Sequence, residues 1–130
     1  MICLSYTIVR LPFWYENFAT VFKPHKIKHG VYALPLPLEG GTIDAMSVED
    51  AGECIYEILL RYKQYTNKVI GLTADRINMD SILESFNKHI GNRKFKDPKI
   101  RIKDYEKFTF AGAQDLASMF EFYCKGIAQA

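Results

Sequence analysis

The stretch Thr7-Ile8-Val9-Arg10-Leu11-Pro12-Phe13-Trp14-Tyr15-Glu16-Asn17-Phe18 constrains this chain more than any other. Its β-branched run predicts a buried strand at Ile8-Val9, Pro12 marks the strand's end, and the spacing predicts a helix just beyond. In that helix Tyr15, Phe18, Ala19 and Phe22 fall at i, i+3, i+4 and i+7, with Glu16, Thr20 and Lys23 on the opposite, wet stripe. Sheets of α/β proteins place ligands at the loops leaving the carboxyl ends of their strands. Here such a loop carries aromatic rings and paired polar groups.

The chain beyond it reads as packing around that point. Lys23 to Gly30 is predicted as a basic loop broken by Pro24 and Gly30. Val31-Leu34 and Thr42-Met46 are short strands. Between them lie Pro35-Leu36-Pro37, held extended, and a turn at Glu39-Gly40-Gly41. Ser47-Val48-Glu49-Asp50 is a helix start, with Ser at the cap and an acid three residues on. Ala51, Ile55, Ile58, Leu59 and Tyr62 form the predicted buried stripe, and Glu57 pairs with Arg61 across one turn. Val69-Ile70-Gly71-Leu72 shows no alternation, which predicts a strand buried on both faces. Asn78 caps a further helix with Met79, Ile82, Leu83, Phe86 and Ile90 on one face and Gly91 at its exit. In the basic run from Arg93 to Lys103, alternation at Ile100 and Ile102 predicts a half-buried edge strand guarded by lysines. Asp104-Phe108 is a helical turn, and Ala113, Leu116, Ala117, Phe120 and Cys124 mark a last helix ended by Gly126. Strands alternating with helices, without internal repeats, predict an α/β architecture.

Composition narrows the class. With 130 residues, 48% of them hydrophobic, the chain can bury a core of its own. A net charge of +2 demands neither nucleic acid nor an anionic membrane as a partner. Cys3, Cys54 and Cys124 are an odd set without CxxC spacing, which argues against a disulfide framework and for a reducing, cytoplasmic setting. No run approaches the ~18 apolar residues of a spanning helix.

At Arg10-Leu11-Pro12, Tyr15-Glu16-Asn17, and Met46-Ser47-Val48-Glu49-Asp50-Ala51-Gly52, the chain resembles the NmrA-like family of atypical short-chain dehydrogenases/reductases. The run from Asp104 to Tyr123 is similar to that family's animal redox-sensor branch. The resemblance extends from about Thr7 to Tyr123, so residues 1–130 read as one partial NmrA-like domain. It implies an NAD(P)-binding Rossmann-type fold, of which this chain supplies the C-terminal half. The Gly-rich turn that holds the NADP(H) diphosphate is missing: Gly40-Gly41 is the only Gly pair and no GxGxxG occurs. Weakened NADP(H) binding is the consequence expected for this chain, because that cradle supplies much of dinucleotide recognition. The tail from Cys124 to Ala130 also departs from the family's longer ending.

By the same resemblance, Trp14, Tyr15, Glu16 and Asn17 are the cofactor-binding candidates, in the segment that closes over the nicotinamide. An aromatic ring can pack on the nicotinamide face, and Asn17 offers a donor and an acceptor to its carboxamide. No catalytic residue is assigned. A reductase of this superfamily needs Tyr-x-x-x-Lys, and none of the eight tyrosines has Lys at that spacing. Ser47 and Asp50 are explained by capping rather than nucleophilic chemistry. No metal ligands are assigned either, since His25 and His29 are bracketed by Pro24 and Gly30 and read as loop residues. Cys54 is expected to be inert and Cys3 exposed.

The function expected is a non-catalytic NADP(H)-sensing regulator, cytoplasmic and also nuclear, that alters its hold on protein partners with cofactor state. A homodimer or a full-length relative are the candidate partners. The alternatives are an NADPH-dependent reductase and a cofactor-independent protein-binding module. Taken alone the chain is expected to be marginally stable, because Ile8-Val9 belongs in a sheet with more strands than these residues provide.

Overall fold

The computed structural model describes residues 4–126. Cys3 and the tail beyond Gly126 lie outside the described residues. The first parallel pair is β1 (Thr7–Arg10) with β6 (Lys68–Gly71), in register from Thr7 opposite Lys68 to Arg10 opposite Gly71. Val9 and Ile70 point inward, onto a cluster of Met46, Ala51, Ile58 and Leu72 joined by Trp14. Ile8 and Val69 point outward and are 50% and 55% exposed. The predicted burial of both strands is thus realised on one face alone. The apolar side chains are there for two covered faces, but among the described residues nothing covers the second.

Pro12 is followed by a two-residue strand, β2 (Phe13–Trp14), and a 3-10 turn over Tyr15–Ala19, not by the predicted α-helix. The Asn17 carbonyl accepts from the Thr20 amide at 3.2 Å and the Phe22 amide at 2.8 Å, which closes the turn after one round. That closure turns Phe22 inward, where its ring meets Phe13 and Phe120. β2 runs parallel to β5 (Thr42–Met46), and β5 pairs antiparallel with β7 (Asp75–Asn78), a strand the sequence pattern did not reveal.

A third sheet has the order β3-β4-β8, with β3 (His25–Lys28), β4 (Val31–Ala33) and β8 (Lys94–Lys96). The basic segment expected as a loop is therefore an edge strand, folded back on β4 through Gly30 at φ +70 with a bulge between Lys26 and Lys28. The lysine-guarded edge strand exists as well, but at Lys94–Lys96 around buried Phe95 rather than at Ile100 and Ile102. Ile102 instead opens the short helix α4 (Ile102–Tyr105). A left-handed Lys99, at φ +53, breaks the extended run between β8 and α4.

The main core gathers Leu34, Leu36 and Leu38 with Ile43, Ile82, Tyr105 and Phe120. Pro35 and Pro37 have no amide to give a sheet. The Leu36 amide therefore bonds the Leu34 carbonyl at 2.9 Å, and Leu38 bonds Leu36 at 3.1 Å, which satisfies this buried backbone locally. Two long helices follow their predicted caps. In α1 (Val48–Leu60), Ser47 accepts from the Glu49 amide. In α3 (Met79–His89), Asn78 and Ser81 bond each other's backbone amides. The Glu57–Arg61 pair forms at 3.2 Å. The stripe of α1 is only partly buried: Ala51 and Ile58 are covered, Ile55 is 38% exposed, and Leu59 and Tyr62 are 65% and 59% exposed. Apolar side chains thus stand exposed on α1 as well as at Ile8 and Val69. A single turn, α2 (Tyr62–Tyr65), links α1 to β6. The last helix, α5 (Ala113–Glu121), buries Ala113, Ala117 and Phe120, and a π-turn over Phe122–Gly126 continues it.

Candidate functional site

Parallel strands end side by side only where a crossover brings them together, and their carboxyl ends then leave a crevice. Here β1 and β6 end at Arg10 and Gly71, and the Leu72 amide extends their ladder by bonding the Arg10 carbonyl at 3.0 Å. Beyond that last bond lies a crevice of about 260 Å³. Arg10, Leu11 and Pro12 line it from one strand, and Gly71, Leu72 and Thr73 from the other. Asp44, Arg76 and Tyr123 close the remaining side with Phe122.

Its electrostatics follow from register. Asp44 on β5 stands opposite Arg76 on β7, and the guanidinium Nε donates to the carboxylate at 2.9 Å. The carboxylate holds the Arg76 pKa above its usual value. Burial, and secondarily the Asp44 charge, push the Tyr123 phenol up, so this hydroxyl stays protonated as a donor. Arg10 has no ion-pair partner among the described residues. The crevice thus offers one unpaired cation, a hydroxyl from Thr73, a phenol and an internally neutralised pair. That set suits an anionic or amide-bearing ligand.

The four candidate residues stand just beyond Arg10-Leu11-Pro12, and other side chains line the crevice itself. Trp14 is half-buried against the Met46–Leu72 cluster. Tyr15 donates its hydroxyl to Asp75 Oδ2 at 2.6 Å; burial, and next that bond, push its pKa up to about 12. Thr73 in turn donates to the Asp75 carbonyl at 3.0 Å, so Tyr15 and Thr73 secure the same loop rim. Glu16 reaches across to the start of α1. It accepts from the Ser47 hydroxyl at 2.6 Å and the Val48 amide at 3.2 Å, and chiefly the Ser47 bond lowers its pKa. The acid that completes the Ser47 cap is therefore Glu16 from the distant loop, whereas Asp50 was the acid expected from spacing. Among the described residues nothing hydrogen-bonds the Asn17 side-chain amide, which is only partly buried.

Arg10, Thr73, Asp44, Arg76 and Tyr123 were not picked out from sequence. Applying the strand-end argument to Val69-Leu72 as well as to Ile8-Val9 would have found Thr73 and Arg10. Asp44 and Arg76 needed β7, whose Asp-Arg-Ile-Asn carries no strand signal. Among the described residues no cluster of three or more His, Cys, Asp or Glu could hold a metal. His25 lies exposed on β3 and His29 in the following turn. Cys54 and Cys124 are free thiols, and burial pushes the Cys124 thiol up. Among the described residues no helix is long and apolar enough to cross a membrane.

The sequence profile of the NmrA-like family matches residues 2–128. Prestalk A differentiation protein A of Dictyostelium discoideum is 30% identical over 106 residues, which cover 80% of this chain and 34% of that protein. The crystal structure of a nucleoside-diphosphate-sugar epimerase from Staphylococcus aureus aligns with a TM-score of 0.69 at 16% identity. That alignment covers 98% of this chain and 45% of the other, and at such identity it shows a shared α/β fold. The chain thus spans about a third of the curated relative and under half of the solved structure.

Proposed function

Because the chain belongs to the NmrA-like family, we propose that it forms the nicotinamide-side wall of an NADP(H)-responsive regulator that binds the dinucleotide without turning over a substrate. The observation that carries this reading is the crevice at the carboxyl ends of β1 and β6, with Arg10, which has no ion-pair partner among the described residues, at its lip. Trp14, Tyr15, Glu16 and Asn17 frame the loop beside it. Asn17, whose amide has no partner among the described residues, is the group proposed to meet the nicotinamide carboxamide. The residues fit that end of the cofactor alone, since no Gly-rich turn for a diphosphate occurs in these 130 residues. Absence of turnover is supported by the phenols. Burial, and next the Asp75 bond, push Tyr15 up to about 12, and burial raises Tyr123, the opposite of the lowering a catalytic tyrosine needs.

Signalling in this reading is a population shift. Cofactor occupancy favours one arrangement of the wall, and that arrangement binds a partner protein better than the other. The partner is a second copy or a longer relative, meeting the uncovered outer face of β1 and β6 at Ile8 and Val69, in the cytoplasm and the nucleus. The test titrates NADPH into the purified chain. Weak binding is expected, with amide shifts at millimolar cofactor confined to Arg10–Asn17 and Gly71–Thr73, and no NADPH oxidation across a panel of carbonyl compounds. Micromolar affinity would overturn the weakened-binding part, turnover above background the non-catalytic part. Shifts elsewhere only would overturn the site.

A further inference from the structure

A second cavity, of about 470 Å³, shares no residue with the crevice. Val21, Ala33, Ile100, Phe108, Phe110 and Leu116 supply its apolar walls. Phe108 and Phe110 are 42% and 45% exposed, although each packs on Tyr105 beneath, so two aromatic rings stand half in water at the mouth. Sites for small molecules have this size and this predominance of hydrophobic and aromatic lining, with a few polar groups to orient the ligand.

Those polar groups come from the sheet. Residues paired across strands share a face. Tyr32 and Phe95 share the face toward α3, where Phe95 meets Phe86. The opposite face carries the row His25, Ala33 and Lys96, and beside it the row Lys28, Val31 and Lys94. His25 and Ala33 line the cavity, so Lys96 flanks its rim one strand away, with Lys94 and Lys28 behind. All three lysines are exposed, and no Asp or Glu is among the lining residues. A mostly apolar, aromatic-lined slot beside exposed lysines that form no ion pair among the described residues matches a ligand that is apolar at one end and anionic at the other.

We propose that this cavity binds a small amphipathic carboxylate, its aliphatic or aryl body against Phe108, Phe110 and Leu116 and its carboxylate toward Lys96. The probe is decanoate below its micelle-forming concentration, titrated into the full chain by calorimetry and by amide shifts. Decanol and decyltrimethylammonium serve as neutral and cationic controls of the same length. Saturable decanoate binding is expected, with shifts at Ala33, Lys96 and Phe108–Phe110, and with the cation excluded. Lys96→Glu, an exposed change on an edge strand, should weaken decanoate by roughly fivefold and leave decanol unchanged, the scale of one surface charge pair. Phe110→Ser should weaken both ligands by about the same factor through lost apolar contact. Equal binding of the anionic and cationic probes, or decanoate affinity unmoved by Lys96→Glu, would overturn the proposal. So would failure of decanoate to bind at all, and capture of an acidic, apolar peptide at this cavity would then mark a protein-docking site instead.

Discussion

Gly41 offers the sharpest test of how the C-terminal turn is held. A Cβ built there would lie 2.8 Å from the Cys124 Cβ, 2.9 Å from its Sγ and 3.0 Å from its Cα. Gly41 is not among the residues with positive φ, so Gly41→Ala meets steric conflict and no conformational strain. Forcing a methyl into such a contact costs about 1–3 kcal/mol. Loss of glycine's freedom in the unfolded chain offsets about 0.4–1 kcal/mol of that. A net destabilisation of roughly 1–2 kcal/mol remains, which for a chain of this size lowers Tm by about 3–8 °C. The partner substitutions identify the cause. Cys124→Ala keeps the nearest atom and should not relieve the variant, whereas Cys124→Gly removes both Cβ and Sγ and should. Urea unfolding of the four-member Gly41→Ala and Cys124→Gly cycle should then return a favourable coupling of about 1 kcal/mol or more. Because Tyr123 lines the crevice next to Cys124, the single variant should also weaken ligand binding there. A Gly41→Ala chain as stable as its parent, or a cycle without coupling, would show that the turn after α5 does not rest on β5 and would refute the reasoning.

Phe120→Ala should cost about 3–5 kcal/mol, a large share of a domain's usual ~5–15, because this fully buried ring joins Phe22 and Tyr105. A urea midpoint that barely moves would mean the core is loosely packed. Glu16→Gln should make stability less dependent on acid. The folded-state pKa of Glu16 is depressed, so its contribution is full above the ordinary carboxylate range and fades as pH falls through the depressed value. Tm of parent and variant should differ at neutral pH and converge in acid; a gap that widens in acid would reverse the assignment. Ile8→Lys with Val69→Lys, at paired residues 50% and 55% exposed on the outer face of β1 and β6, should lower any self-association that sedimentation measures for the parent. Persistent oligomers would place the sticky surface elsewhere.

Elements whose signals are local were legible in the sequence. The caps at Ser47 and Asn78, the pattern from Met79 to Phe86, the Glu57–Arg61 pair and strand Thr42–Met46 stand where propensity and spacing put them. Each depends on residues within one or two turns of one another, so the chain carries the information regardless of what packs on it. Family membership was legible for a similar reason, through ordered motifs along nearly the whole chain.

What the sequence could not decide were pairings across distance. Asp75–Asn78 is a strand only because β5, far earlier in the chain, offers its edge; the hairpin of His25–Lys28 with β4 through Gly30 is local, and the basic, Pro- and Gly-flanked run masks it. Glu16 replaced Asp50 at the α1 cap because the 3-10 turn delivers its carboxylate to the exposed amide of Val48. Val69 and Leu59 read as buried because apolarity records what a surface can cover, whereas exposure depends on which neighbours reach it. The crevice belongs to the same class: Arg10 and Thr73 are 63 positions apart, and only the parallel register of β1 and β6 makes them two sides of one opening. Hydrogen-bond ladders between distant segments are cooperative and direction-specific, and no single stretch of sequence encodes them.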